Sequence, residues 1–237
     1  APPVRAVLSD VAGGEHVLDI SCSCDENTRR PVSFLAMEDV SVPHGISLEL
    51  FWQANHDALT GLVNRRGFEE SLRGAVSAGG EPDKQHTLLF IDLDRFKLIN
   101  DSSGHAAGDE FLRQIAAVLR ARVRTTDVLA RMGGDEFCVL LHACPVEQAL
   151  RIANAVRMDI ANFRFVWRDR VFHVGASIGL VVLSDPEVSA AEALEQADSA
   201  CYAAKEAGRD QIRVFHAKAA GNEPRADMNI VETIHDA

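Results

Sequence analysis

Pairs of acidic residues directly follow strongly apolar runs in this 237-residue chain. Asp92 and Asp94 come after the run His86–Ile91, and Asp135 and Glu136 follow two glycines that separate two further apolar runs. Carboxylates at a strand end lie at the edge of a sheet, where Mg²⁺ can be held by one or two carboxylates and phosphate oxygens. If the two strands are neighbours, Asp92 and Asp135 converge on one site. Taken alone, an Asp-x-Asp pair at a strand end more often caps a turn or faces solvent.

Two glycine-containing segments offer room for a nucleotide. Gly133 and Gly134 leave a turn without side chains, so a sugar and a phosphate can approach its backbone, although a hairpin that needs positive φ explains them equally well. The polar segment Asn100–Asp109 carries side chains with donors and acceptors that can read a purine edge. An N-cap at Asp109 after a flexible loop explains this segment as well. The chain has no P-loop or dinucleotide-binding glycine motif.

The hydrophobic pattern predicts the elements that must position these residues. Strands are predicted over His86–Ile91, Val128–Arg131, Glu136–Leu141, Val171–Leu183 and Gln211–Phe215, and helices over Asp109–Arg124, Val146–Ile160 and Ala190–Ala207, the last closed by Gly208. The hairpin at the two glycines introduces antiparallel pairing. We therefore expect an α+β fold, with helices packed on a mixed central sheet, and not a βαβ repeat.

The N-terminal part of the chain has a different pattern. Alternating runs over His16–Cys24 and Pro31–Val40, separated by a polar stretch, predict a β-hairpin. Two strands are not stable alone, so this hairpin must belong to a further module or pack on one. Apolar residues at helical spacing then predict a connecting helix over about 47–58.

Composition and charge narrow the function classes. The formal net charge is −11, the wrong sign for sequence-independent nucleic-acid binding, while a nucleotide can still bind if metal and local cations offset its phosphates. The five cysteines form no CxxC pair and are interpreted as reduced thiols, which favours a cytoplasmic protein. No apolar run approaches the ~20 residues of a membrane span, so we expect no membrane segment in this chain.

Seven short motifs occur in a fixed order between residues 57 and 215. They are Asp57-x-Leu-Thr-Gly-Leu-x-Asn-Arg-Arg66, Asp92-Leu-Asp-x-Phe-Lys97, Asn100-Asp-x-x-Gly-His-x-x-Gly-Asp109, Arg131-x-Gly-Gly-Asp-Glu-Phe137, Ser177-Ile-Gly179, Ala197-Asp198 and Lys205-x-x-Gly-Arg209. Each is weak alone, but the ordered series closely resembles the GGDEF family of diguanylate cyclases. The resemblance implies a palm-like fold shared with nucleotidyl cyclases, and the joining of two GTP molecules into cyclic di-GMP.

The resemblance also implies a catalytic centre with two divalent ions, Mg²⁺ or Mn²⁺, per active site. Asp92, the backbone carbonyl of Leu93, and Asp135 match the positions that hold these ions in the family. Two metals can stabilise both the attacking and the leaving oxygen of an in-line displacement. Asp135 also matches the base for the 3′-hydroxyl, with Glu136 as the rival candidate, and Lys97 matches the residue that stabilises charge on the transferred phosphate.

Six further positions are implied to bind substrate, namely Phe96, Asn100, His105, Asp109, Lys205 and Arg209. Asn100 and Asp109 would hydrogen-bond guanine, with His105 nearby. Lys205 and Arg209 would hold the terminal phosphates. Because one domain holds one GTP, catalysis is expected to need a head-to-tail homodimer.

Arg124-Thr-Thr-Asp127 matches the RxxD site at which cyclic di-GMP inhibits many such cyclases. An arginine can hold guanine or phosphate through two hydrogen bonds, whereas most arginines at helix ends are simply solvated. Arg151 and Arg157 on the following helix are candidates for supporting cations. The sequence therefore predicts product inhibition through Arg124 and Asp127.

The flanking segments extend the resemblance. Residues 1–46 resemble part of a PAS sensor domain, with a domain-specific hairpin extension as the alternative. Residues 47–56 form the connecting helix, 57–216 the GGDEF domain, and 217–237 either a solvated tail or a linker helix toward an EAL phosphodiesterase domain. The expected partners are thus GTP, cyclic di-GMP, a second copy of the chain, and fused sensor and phosphodiesterase domains. The rival interpretation is a catalytically idle GTP- or cyclic-di-GMP-binding module that regulates an attached phosphodiesterase. A third is a dimerising scaffold.

Overall fold

The structure is a computed structural model that describes residues 4–9, 15–25, 32–39, 50–78, 85–185 and 187–216. The chain divides into two compact units, Ala1–Ala54 and Asn55–Ala237. No described helix is both long and apolar enough to cross a bilayer. The tail or linker helix expected over 217–237 lies outside the described residues.

The first unit contains a three-stranded antiparallel sheet in the order β1-β2-β3. Its strands are β1 (Val4–Ser9), β2 (Glu15–Asp25) and β3 (Val32–Asp39). The pairing of β2 with β3 confirms the predicted hairpin. Strand β1 was not predicted, because its residues do not alternate between apolar and polar.

Residues 50–55 are helical (α1), and His56 then pairs with Val63 as an isolated antiparallel bridge. The helix thus ends earlier than the predicted 58, because the chain already turns at Asp57.

The second unit is built on a six-stranded mixed sheet in the order β11-β10-β5-β7-β6-β4. Its elements are β4 (Val63–Asn64), α2 (Arg65–Ala78), β5 (His86–Leu93), α3 (Lys97–Ser103), α4 (His105–Arg120), β6 (Val128–Gly133), β7 (Glu136–Leu141), α5 (Val146–Asn162), β8 (Phe165–Trp167), β9 (Arg170–Phe172), β10 (Ala176–Leu183), α6 (Ala190–Glu206) and β11 (Ile212–Val214). This arrangement confirms the predicted α+β class, with helices flanking a mixed sheet.

Strand β5 lies inside the sheet and is buried along its whole length. Leu89 and Ile91 pack into a core shared with α4 and α5, whereas Leu88 and Phe90 pack into a second core shared with α2 and α6. Because both faces are covered, the strand is continuously apolar instead of alternating. After His86 and Thr87 at its start, the next polar side chain of the strand is therefore Asp92, at its C-terminal end.

The register of the sheet brings polar residues to that end. Strand β5 pairs antiparallel with β10 on one side and with β7 on the other, so Asp92 lies between Ser177 and Glu136. Strands β6 and β7 form the predicted hairpin, with a register shift between Arg131 and Gly133. The turn carries Gly133 at φ 144° and Gly134 at φ 53°, backbone conformations that favour glycine.

Two predicted boundaries are wrong. The segment Asn100–Asp109 is mostly helical, since α3 runs to Ser103 and α4 starts at His105 after Gly104 at φ 81°. Asp109 is thus inside α4 and is not its N-cap. The burial of Ile99 explains why the short helix α3 forms, and the burial of Ala107 explains why α4 begins before Asp109, because each places an apolar residue in the core.

The predicted strand Val171–Leu183 is interrupted. Its first part belongs to β9, which pairs with β8 as a separate hairpin, and its second part is β10. Between them, Gly175 accepts a hydrogen bond from the Asp94 N–H at 2.9 Å. A Cβ atom at position 175 would lie 3.0 Å from the Asp94 carboxylate. The glycine therefore lets the backbone pass close to this acid at the point where the predicted strand is interrupted.

Candidate active site

Three acids meet where β5 ends beside the β6–β7 turn. Asp92 is opposite Glu136 in the strand pair, and the Leu93 N–H donates to the Asp135 carbonyl at 3.2 Å. Asp92 is 7% exposed, whereas Asp135 and Glu136 are half-buried. Strands β5 and β7 are thus neighbours, as the convergence of Asp92 and Asp135 requires, and the two acids lie at one site.

The pKa values of Asp92 and Glu136 are both raised. Burial raises the pKa of Asp92, the Lys205 ion pair partly offsets this, and the charges of Asp135 and Asp94 add to the increase. The pKa of Glu136 is raised mainly by burial, then by the charge of Asp92. The site therefore carries more negative charge than its surroundings neutralise.

Lys205, in the last turn of α6, lies against these acids. Its Nζ is 2.5 Å from Asp92 Oδ2. Burial lowers the pKa of Lys205, but the hydrogen bond and charge of Asp92 outweigh burial, so the net shift is upward. Lys205 thus lies beside the carboxylates, where it can contact a phosphate bound next to them.

The donor atoms at this site suit a hard divalent cation. Asp92 and Asp135 offer carboxylate oxygens, and the Leu93 carbonyl accepts a long hydrogen bond, 3.4 Å from the Phe96 N–H. No three Asp, Glu, His or Cys side chains of the described residues form a complete metal site. Mg²⁺ commonly uses one or two carboxylates and takes its other ligands from phosphates and water. The residues present therefore fit Mg²⁺ bound together with a nucleotide.

The glycine turn is held in place by Arg131. Its guanidinium donates to the Gly134 carbonyl at 3.0 and 2.9 Å and to both carboxylate oxygens of Asp57 at 3.1 and 3.2 Å. Asp57 also accepts hydrogen bonds from the Thr60 N–H and hydroxyl at 2.9 and 2.6 Å. Burial raises the pKa of Asp57, but the bonds from Thr60 and Arg131 outweigh it and lower the pKa overall. Sequence reasoning missed this role, because the two residues are 74 positions apart.

The residues expected to bind guanine lie on two adjacent helices. Asn100 is half-buried in the middle of α3, and its Oδ1 would lie 2.0 Å from a Cβ atom at position 108, so Gly108 permits the close approach of α3 and α4. His105 and Asp109 are exposed on the first turns of α4. The structure thus places Asn100 beside the turn that carries Asp109, which leaves their role in guanine binding a prediction.

Phe96, Lys97 and Arg209 differ in their exposure. Phe96 is 7% exposed, and its ring stacks on Phe111 with centroids 5.8 Å apart. It is therefore part of the core and packs at the start of α3. Lys97 is exposed at the first residue of α3. Arg209 is exposed just after α6, in a turn that begins at Gly208.

The predicted inhibitory motif forms a turn at the start of β6. The Asp127 carboxylate accepts hydrogen bonds from the Arg124 N–H at 3.2 Å and the His142 N–H at 3.0 Å, while the Arg124 side chain is exposed. Arg151 lies near the motif, because its charge and those of Arg124 and Asp127 all act on the pKa of the Cys144 thiol, which burial raises. Arg157 does not support this motif, because its guanidinium donates to Asp210 Oδ2 at 3.0 Å.

Comparison with known proteins agrees with this geometry. The model of the family described as "Diguanylate cyclase, GGDEF domain" matches residues 54–211. The chain is 44% identical over 201 residues to the probable diguanylate cyclase DgcE of Escherichia coli K12, a match that covers 84% of this chain and 18% of that protein. It is 36% identical over 187 residues to the cyclic di-GMP phosphodiesterase PdeB of Shewanella oneidensis, covering 78% of this chain and 21% of that protein. The chain thus spans about a fifth of the length of these curated relatives.

A solved structure has the same fold. It is the crystal structure of the coiled coil and GGDEF domain of DgcB from Caulobacter crescentus in complex with c-di-GMP, with a TM-score of 0.69 and 26% identity. The match covers 74% of this chain and 93% of that one. With the matched family model spanning more than half of the residues, this chain belongs to the GGDEF diguanylate cyclase family.

Proposed function

We propose that this protein is a metal-dependent diguanylate cyclase. The observation that carries the proposal is the cluster of Asp92, Asp135 and Glu136 beside Lys205, in which the pKa values of Asp92 and Glu136 are raised. The 3′-oxygen of each GTP attacks the α-phosphorus of the other, two P–O bonds to diphosphate break, and the product is cyclic di-GMP with two diphosphates. Each 3′-hydroxyl loses one proton in this process.

Asp92, Asp135 and the Leu93 carbonyl would hold two Mg²⁺ or Mn²⁺ ions at each site. When bound, the metal neutralises phosphate charge and polarises the 3′-hydroxyl. The pKa of Glu136 is raised by burial and by Asp92, which brings this carboxylate closer to the pKa of an effective base at neutral pH. Glu136 therefore competes with Asp135 as the acceptor of the 3′-hydroxyl proton.

The other residues would bind and orient the nucleotide. Asn100 and Asp109 would hydrogen-bond guanine, with His105 near them, while Phe96 supports α3 from the core. Lys97, Lys205 and Arg209 would bind the phosphates and stabilise the charge that develops on them. Since one domain offers one such site, two domains must face each other as a head-to-tail homodimer for the reaction.

Product inhibition is part of the proposal. The exposed Arg124, on the turn that Asp127 holds, would bind cyclic di-GMP, with Arg151 close by. The bound product must favour a domain arrangement that keeps the two GTP molecules apart. The proposal also retains the PAS-like segment over 1–46, either a tail or a linker helix toward an EAL domain over 217–237, and a cytoplasmic location where GTP is available.

The second candidate function is a nucleotide-binding module that controls an attached phosphodiesterase. The 36% identity to PdeB, which is named a phosphodiesterase, favours it. The acids Asp92, Asp135 and Glu136 favour catalysis instead, because an idle module has no need of them.

A direct assay tests the proposal. The protein is incubated with GTP and Mg²⁺, and the products are separated by chromatography, with ATP in place of GTP and with EDTA as controls. We expect cyclic di-GMP when GTP and Mg²⁺ are supplied, no cyclic dinucleotide from ATP, and no product in the presence of EDTA. Binding of GTP without product would favour the regulatory module. Equal use of ATP would contradict the guanine-binding assignment, because a site built to hydrogen-bond one base leaves its polar groups unpaired with the other.

A further inference from the structure

Asp94 is the second acid of the Asp92-x-Asp94 pair and directly follows β5, and its carboxylate is held by groups of the protein itself. Oδ1 accepts a hydrogen bond from Ser177 Oγ at 2.8 Å, and Oδ2 accepts one from the Asp210 N–H at 3.0 Å. The side chain is 6% exposed. Its backbone N–H donates to the Gly175 carbonyl at 2.9 Å. Asp94 therefore ties the end of β5 to the start of β10 and to the turn after α6, and it is not open to a ligand.

The turn after α6 has an unusual backbone. Gly208, Arg209 and Asp210 have φ values of 117°, 66° and 46° in succession. For residues with side chains, the left-handed region costs roughly 1–2 kcal/mol each and persists only where surrounding contacts impose it. The contact that imposes it at Asp210 includes the hydrogen bond from its N–H to Asp94.

Other contacts hold the same turn from the opposite side. Arg157 donates to Asp210 Oδ2 at 3.0 Å, and Gln211 Nε2 donates to the Ala204 carbonyl at 3.0 Å. The Arg209 N–H also donates to the Ala204 carbonyl at 3.0 Å. Among these partners, only Asp94 is close in sequence to Asp92, which lies two residues earlier at the end of β5.

We propose that Asp94 is a positioning residue for Arg209. By holding the Asp210 N–H, with its own orientation fixed by Ser177, Asp94 imposes the left-handed turn and so sets the direction in which the Arg209 side chain leaves the backbone. That direction would bring its guanidinium to the terminal phosphates of a GTP bound at Asp92. This inference rests on the proposed function.

The expected effect is selective for phosphates. Asp94→Asn keeps the size of the side chain but removes its charge and replaces one acceptor oxygen with an NH₂ group, which weakens the hydrogen bonds that hold Ser177 Oγ and the Asp210 N–H. The turn can then relax toward less strained angles, and Arg209 loses its orientation. A ligand that has terminal phosphates is weakened, whereas one with the same base and a single phosphate is not.

The test uses two ligands that cannot react, because each lacks the 3′-hydroxyl. With Mg²⁺ present, 3′-deoxy-GTP and 3′-deoxy-GMP are titrated into the wild type, Asp94→Asn, Arg209→Ala and the double variant. We expect Asp94→Asn to bind the triphosphate about tenfold more weakly, as for a lost charged hydrogen bond, and the monophosphate unchanged. If Asp94 acts through Arg209, the double variant binds no more weakly than Arg209→Ala. Asp169→Asn, an exposed acid between β8 and β9, is the matched control.

Ser177→Ala separates geometry from charge. It removes the hydroxyl that orients Asp94 and leaves the carboxylate charge in place, so a smaller loss of about threefold is expected, again for the triphosphate alone. This variant also decides the question if Asp94→Asn fails to fold, as judged by its melting curve.

Equal weakening of both ligands, no weakening, or additive effects in the double variant would overturn the inference and leave Asp94 with a purely structural role. A wild type that binds neither ligand would overturn the proposed function together with it. A wild type that binds both, without selective loss in the variants, contradicts the positioning role alone.

Discussion

Strand β6 has an arginine and an acid near each end. At its C-terminal end, the Arg131 side chain is 12% exposed and donates hydrogen bonds to the Gly134 carbonyl and to Asp57. Asp135 and Glu136, just beyond it, form the acidic cluster with Asp92. At its N-terminal end the roles are reversed. There Asp127 is occupied by two backbone N–H groups, and the Arg124 side chain is exposed.

The difference follows from which charged group the backbone uses. A side chain that satisfies backbone donors or acceptors becomes part of the scaffold, because releasing it would leave those groups unpaired. The remaining charge then determines the sign of the ligand. The C-terminal end of β6 is suited to cations held with a nucleotide, and the N-terminal end to an anion such as a phosphodiester.

The largest expected effect is at the acidic end. Asp135→Asn removes a charge from the cluster and should lower the rate of cyclic di-GMP synthesis about 100-fold or more, as for loss of a group that stabilises transition-state charge. Because Asp135 is only half-buried, the melting temperature should change by less than about 2 °C. Initial rates at saturating GTP and a thermal melt measure both. Retained turnover in the folded variant would show that this acid is not part of the catalytic site.

The scaffold arginine should behave differently. Arg131→Ala removes the hydrogen bonds to the Gly134 carbonyl and the ion pair with Asp57, which keeps only its bonds from Thr60. The free energy of unfolding should therefore fall by about 1–3 kcal/mol. The rate of cyclic di-GMP synthesis should also fall, because the glycine turn is no longer held. The pKa of Asp57 is lowered in the folded protein, so its stabilisation is present at neutral pH and is lost as the pH falls below its ordinary value of 3.8.

Urea unfolding at pH 7 and near pH 3 tests this prediction. The difference between the wild type and Arg131→Ala should narrow at the lower pH, with Arg164→Ala, an exposed arginine between α5 and β8, as the control at both. A difference that stays the same at both pH values would mean that the Asp57 ion pair does not contribute.

A pair of variants tests the reversal at the other end. Asp127→Ala leaves two backbone N–H groups unpaired and should lower the free energy of unfolding by about 1–2 kcal/mol. Arg124→Ala should change it by less than about 0.5 kcal/mol, yet remove inhibition by added cyclic di-GMP. Initial rates against cyclic di-GMP concentration, together with urea unfolding, compare the two. If Arg124→Ala is as sensitive to product as the wild type, the arginine is only a solvated side chain.

The smallest effect concerns the excess negative charge. The pKa of Glu136 is raised by burial and by Asp92, so its ionised form destabilises the fold above that pKa, and the penalty disappears below its ordinary value of 4.5. In metal-free buffer, Glu136→Gln should therefore melt at a slightly higher temperature than the wild type at pH 7, with no gain near pH 4. Glu195→Gln, an exposed acid of α6, is the control. A lower melting temperature at pH 7 would contradict the proposed charge excess.

Local patterns in the sequence determined much of this fold. The paired glycines between apolar runs predicted the β6–β7 hairpin, and the continuous apolar run before Asp92 predicted β5. Helix α6 was predicted from its periodicity, and its N-terminus has a capping box formed by Ser189 and Glu192. These features depend on contacts between residues close in the chain, so a pattern of residue types is enough to specify them.

Only the tertiary structure decided which acids are available. By residue type and spacing alone, Asp92 and Asp94 form one Asp-x-Asp pair and are equivalent, and only the family resemblance favoured Asp92. In the fold, Asp94 is held by Ser177 and Asp210, which lie 83 and 116 positions away, whereas Asp92 faces Lys205 and the acids of the neighbouring turn. Hydrogen bonds between such distant residues depend on strand register and helix packing, and no local pattern encodes them. The sequence therefore determined where acids and arginines occur, and the packing of the sheet determined which of them the scaffold uses.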